Sequence, residues 1–200
     1  MYKVRAKALR QLIREYKALQ SDVSHPYRLS AWLEFYRQLR PRSAISLAAM
    51  AIGPEGRKHP HQWRVPNPML ARASQSLLKL QRQIARCGSF DKLHRMVDSG
   101  AGGVRGIGDL TVYDTALRIS STLGCLPRRV YLYAGAREGY ELLTGRPAPR
   151  TVTKASFKGP VATLNAREIE DFLCMFRHKF SGSRRPPASR CYIAVAGHRS

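Results

Sequence analysis

Two hundred residues carry 35 Lys and Arg against 13 Asp and Glu, a formal net charge of +22, with 44% apolar residues. That apolar share excludes a disordered basic tail, and the length allows one ordinary domain with a short appendage. The positive charge runs along the whole chain, so a polyanion is the expected partner, with nucleic acid ahead of acidic lipid or an acidic protein.

The first segment places Val4, Ala8, Leu9, Leu12, Ile13, Tyr16 and Leu19 at helical spacing. Ser30 is positioned to cap a second helix carrying Trp32, Phe35, Tyr36 and Leu39, stopped by Pro41. "SAISLAAMAIG" reads as a buried helix ending at Gly53. A proline-rich loop, "PEGRKHPHQWRVPNP", follows, and Asn67 and Pro68 open a helix reaching about Cys87. Ser89 caps the short helix "FDKLHRMVD", and a helix over 110–122 ends at Gly124. A helical stretch starts at Pro127 around "RRVYLYAGAREGYELL", followed by a basic link over 146–160. Asn165 and Glu168 form a capping box for "AREIEDFLCMFRHKF", and "RCYIAVAGH" is strand-like. The expected fold is mainly α: a multi-helix bundle over 1–180 with one short C-terminal strand in a basic, Pro-rich segment, 181–200.

The cysteines, Cys87, Cys125, Cys174 and Cys191, contain no C-x-x-C pair, which argues against an iron–sulfur cluster or a zinc ribbon. Cys174 with His178 and Cys191 with His198 have gaps atypical of a Cys2His2 site. Idle thiols in a reducing compartment are expected, with no metal and no cofactor. The N-terminal stretch is charged throughout and no apolar run is long enough for a bilayer, so a soluble cytoplasmic monomer is expected, with no membrane partner.

"GAGGVRGIGDLTVYDTALRI", residues 100–119, concentrates glycine before a helix start. Gly106 and Gly108 permit a tight turn, Ile107 plugs it into the core, and the exposed N–H groups of the next helix can hold a phosphate. The plain alternative is a Gly-rich join between two helices. Together with "LGCLPRRVYLYAGAREG", this segment resembles the core of the helix–hairpin–helix DNA glycosylase superfamily over roughly residues 88–143. The resemblance implies a helix–hairpin–helix unit (90–122) binding double-stranded DNA, and an enzyme that hydrolyses the N-glycosidic bond of a flipped base to leave an abasic site. Three positions depart from the family. Arg105 stands where proline is common, Leu110 where bifunctional members carry the Schiff-base lysine, and "RRVYLYAGAR" lacks the later acid. The expected enzyme is therefore monofunctional, and the departures point to an unusual modified base, as in defence against phage DNA. A non-enzymatic helix–hairpin–helix DNA-binding protein is the alternative.

Cleaving a base from its sugar develops positive charge on the ring, so a nearby carboxylate is expected. Asp114 lies one turn beyond Leu110 among largely uncharged neighbours and is the catalytic candidate, with Glu138 in reserve; equally, Asp114 can pair with Arg118 at i+4. Arg105, Gly106, Ile107, Gly108, Arg57, Lys58 and Arg64 are the candidate DNA contacts. Tyr113, Tyr131, Tyr133, Trp63, His59 and His61 are candidates for the base pocket or for flipping, although aromatics at helical spacing are more often core.

Overall fold

A computed structural model describes residues 2, 4–25 and 28–180. The described chain is mainly helical with one small antiparallel sheet. Its packing separates two compact units within the 1–180 span: Leu19–Pro127, and Met1–Ala18 together with the chain from Arg128 onward. The strand-like "RCYIAVAGH" run and the 181–200 segment lie outside the described residues.

In the Leu19–Pro127 unit, α2 (Leu29–Arg37), α3 (Pro41–Ala49), α4 (Asn67–Lys79), α5 (Gln81–Ala85) and α6 (Phe90–Val97) precede α7 (Asp109–Leu123). α7 is the axis of this unit: every residue from Thr111 to Ser121 is buried, and α2, α3 and α6 pack on it. Small polar side chains tie it down. Ser121 Oγ donates to Leu33 O at 2.6 Å and Thr122 Oγ1 to Tyr36 O at 2.7 Å, both on α2. A helix buried all round has no amphipathic stripe, and its polar residues must find partners inside.

Several local expectations change. α3 begins at Pro41 and ends at Ala49, short of Gly53, and Pro66, not Asn67, is the N-cap of α4. Ser30 does not cap α2: Leu29 starts the helix, and Ser30 Oγ donates to Gln20 O at 3.4 Å. Leu80 interrupts the single helix expected to Cys87, dividing it into α4 and α5. α6 ends at Val97 and continues as a wider turn over Asp98–Gly102, with five-residue hydrogen-bond spacing. Residues after Pro127 first form a strand, not a helix, because Val130 and Tyr131 are β-preferring and pair with a second strand.

That second unit contains most of α1 (Ala6–Ser21), β1 (Arg129–Tyr131), α8 (Ala134–Thr144), β2 (Thr151–Thr153) and α9 (Ala166–Phe180). β1 and β2 pair antiparallel with Val130 opposite Val152. Tyr16 of α1 meets Phe172 and Phe176 edge-on and donates to Asp171 Oδ2 at 3.0 Å. α8 crosses α9 at Gly139, where a Cβ would stand 2.2 Å from Leu173 O. The capping box of α9 forms as expected: Asn165 N donates to Glu168 Oε2 at 2.7 Å, and Glu168 N to Asn165 Oδ1 at 3.0 Å. Among the described residues no helix is long and apolar enough to cross a membrane.

Candidate functional site

Two features of the Leu19–Pro127 unit gather most of the candidate residues, and both involve α7. The first is the turn leading into it. Gly106 sits at φ +87°, in the left-handed region that favours glycine. Ile107 is 7% exposed and plugs the turn into the core, its N–H bonded to Val104 O at 2.9 Å. Gly108 is the N-cap at φ −97°, a conformation open to any residue, and a Cβ there meets no atom within 4 Å. The two glycines are thus not equivalent: Gly106 makes the turn, and Gly108 leaves the helix N-terminus open, with no side-chain cap. Arg105 is exposed beside it, and Asp109 stands in the first turn of α7.

The second feature is a buried polar centre between α7 and the 54–66 loop. Asp114 is 7% exposed. Its Oδ2 lies 2.9 Å from His61 Nδ1, accepts a hydrogen bond from Gln62 Nε2 at 2.7 Å, and stands 3.7 Å from Arg118 Nη2. Arg118, 4% exposed, donates through Nη2 to Gln62 Oε1 at 2.8 Å and through Nη1 to Ala48 O at 3.4 Å, with its guanidinium 5.3 Å from the Trp32 ring centroid. Burial alone would raise the Asp114 pKa. The charge and hydrogen bond of His61, then the charge of Arg118, outweigh it and hold the carboxyl well below the usual range.

The two histidines pack edge to face, ring centroids 4.5 Å apart, and His59 meets Trp32 at 4.6 Å. His59 Nδ1 accepts from His61 N at 3.3 Å. Burial first, then the positive charge of His61 and Arg118, pushes the His59 pKa well below its usual value. With Nδ1 of His61 facing the carboxylate, its Nε2 is buried without a hydrogen-bond partner. His59, His61 and Asp114 place ligating atoms within 4.8 Å of one another, close enough to hold a metal ion. Arg118 beside the carboxylate already balances its charge and opposes a divalent cation there.

The loop is held by its own backbone and by Lys58. Gly53 N bonds to Arg57 O and His59 N to Ala51 O, each at 2.9 Å. Lys58 Nζ donates to Val65 O at 2.8 Å and to Asn67 Oδ1 at 2.9 Å, so this candidate DNA contact works as an internal strut. Arg57 pairs with Glu55 at 2.6 Å, and Arg64 is exposed. Trp63 is 46% exposed, its indole N–H donating to Lys58 O at 2.9 Å.

The remaining candidates are placed elsewhere. Tyr113 is buried in the core against Phe90, ring centroids 5.9 Å apart. Tyr131, Tyr133 and Glu138 belong to the other unit. Both tyrosines are buried, the Tyr133 hydroxyl accepting from Arg150 Nε at 3.1 Å. Glu138 is exposed and pairs with Arg177 Nε at 2.8 Å. Gln62 and Trp32 complete the polar centre without having been candidates. Gln62 carries no charge or motif of its own, and Trp32 reads as an ordinary core aromatic. Among the described residues Cys87, Cys125 and Cys174 form no disulfide; Cys191 and His198 lie outside them. Comparison with protein-family models, curated proteins and solved structures found no match to the chain.

Proposed function

We propose that this protein binds double-stranded DNA through its phosphate backbone, with the helix–hairpin–helix formed by α6, the 98–108 turn and α7 as the contact. The supporting observation is the uncapped N-terminus of α7, opened by the Gly106 turn beside exposed Arg105. First-turn N–H groups and the helix dipole attract an anion there without reading sequence. Asp109 weakens that single site, so the +22 charge supplies most of the affinity. The test is fluorescence anisotropy with a labelled duplex across a salt series. Each phosphate neutralised contributes about −0.9 to the slope of log affinity against log salt, so six contacts lose on the order of a thousandfold from about 50 to 200 mM. Arg105→Ala should lower the slope by about one. Salt-independent affinity, or an unchanged Arg105→Ala slope, overturns the reading.

The His61–Asp114 pair supports a second reading, a monofunctional DNA glycosylase. Asp114 lies about 8 Å along α7 from its first residue, within one nucleotide of a phosphate held at that end. In this reading the oxygen of a water bonds to the sugar carbon as the base departs with the electrons of the N-glycosidic bond, and the water's proton passes to the departing base. The Asp114 carboxylate stabilises the positive charge that develops on the sugar, and His61, a positioning residue, holds it through Nδ1. Incubating the protein with genomic DNAs bearing different base modifications should yield abasic sites, lost in His61→Ala. Absence of abasic sites on all of them removes this reading and leaves the first standing.

A further inference from the structure

An open cavity of about 550 Å³ runs along α5 and the flank of α6. Half-buried Leu80 and Met96 contribute its apolar surface, and half-buried Cys87 lies close enough to Lys92 to sense its charge. Arg86, Lys92 and Arg95 line it as well, all exposed. No carboxylate lines the cavity, and none of these three side chains enters an ion pair among the described residues. Three cations around one apolar hollow repel each other until an anion joins them. The volume falls in the range of small-ligand sites, roughly 300–1,000 Å³.

A bare phosphate would satisfy the cations and leave Leu80 and Met96 wet; an apolar ligand would do the reverse. A nucleotide does both, but inside a duplex its base is stacked and paired. Ser99, in the 98–108 turn assigned above to the DNA backbone, lines the cavity, so the cavity borders that turn. We propose that it receives a single unpaired nucleotide of the bound DNA, the base against Leu80 and Met96 and the phosphate among Arg86, Lys92 and Arg95. This rests on the DNA-binding reading and adds a substrate class to it: duplexes with a bulged or extruded nucleotide.

The test compares a fully paired duplex with the same duplex carrying one bulged nucleotide, by anisotropy at fixed salt. The bulged duplex should bind about tenfold tighter, a difference of about 1.4 kcal/mol. Met96→Gln should bring its affinity down to the paired-duplex level, with a melting curve to verify folding. In the unsubstituted protein, the bulged duplex should slow N-ethylmaleimide modification of Cys87 severalfold more than the paired one at equal occupancy. Equal affinity for the two duplexes, or equal protection of Cys87, overturns the proposal while leaving DNA binding intact. Failure to bind either duplex overturns the DNA-binding reading itself.

Discussion

Asp114→Asn probes the buried polar centre most directly. The substitution keeps the side-chain shape but removes the charge that balances Arg118, which is 4% exposed and pairs with no other carboxylate among the described residues. It also replaces one acceptor oxygen with an N–H donor, although His61 Nδ1 and Gln62 Nε2 both approach as donors. Removing one partner of a buried ion pair costs about 3–5 kcal/mol. Asn retains one acceptor, so the lower end, about 3 kcal/mol, is expected, which for a chain of this size lowers Tm by about 6–12 °C. Thermal unfolding followed by circular dichroism at pH 7 reads this directly. Adding Arg118→Met to Asp114→Asn removes the stranded cation and should recover part of the loss, with a coupling of about 1–3 kcal/mol. A melting curve for Asp114→Asn superimposable on the parent would refute the reasoning, because the carboxylate would then not be holding this network together.

The two turn glycines should behave differently: Gly106→Ala, at φ +87°, costs about 1–2 kcal/mol in a melt, whereas Gly108→Ala changes stability by less than about 0.5 kcal/mol. Equal losses would contradict the assigned geometry. Acid should destabilise the protein in two stages, because both buried groups have folded pKa values below their unfolded ones. His59 stays neutral while the unfolded chain takes up its proton below 6.5, and Asp114 stays ionised while the unfolded chain protonates near 3.8. Stability is therefore full above about pH 6.5, declines below it, and falls further below about pH 4. His25 and His178 are shifted in the same direction, so His59→Gln should reduce the first stage without abolishing it. A Tm that is flat from pH 7 to 5 contradicts this. In the other unit, Gly139→Ala should cost about 1–3 kcal/mol through overpacking against Leu173 O; an unchanged melt would mean that α8 and α9 separate freely.

Periodicity and punctuation in the chain determined most of the helices. Leu9, Leu12, Ile13 and Tyr16 fall on one buried face of α1, Gly124 stops α7, and Asn165 with Glu168 caps α9, because these signals act within a few residues of themselves. The Gly-Ile-Gly turn was legible for the same reason, down to the buried Ile107. Residues after Pro127 read as helix because a three-residue strand carries almost no local pattern. β1 exists through its pairing with β2, whose partner residues lie twenty or more positions away. The polar centre was half legible. Asp114 and Arg118 share a helix face by spacing alone, whereas Gln62, His61 and Trp32 reach them only after the 54–66 loop and α2 pack on α7. Lys58 shows the same limit from the other side, since a loop lysine reads as a free cation until tertiary packing puts Val65 O and Asn67 Oδ1 around it. Local sequence sets what a few residues prefer; which charges are spent inside and which remain for a partner is decided by contacts between residues far apart in the chain.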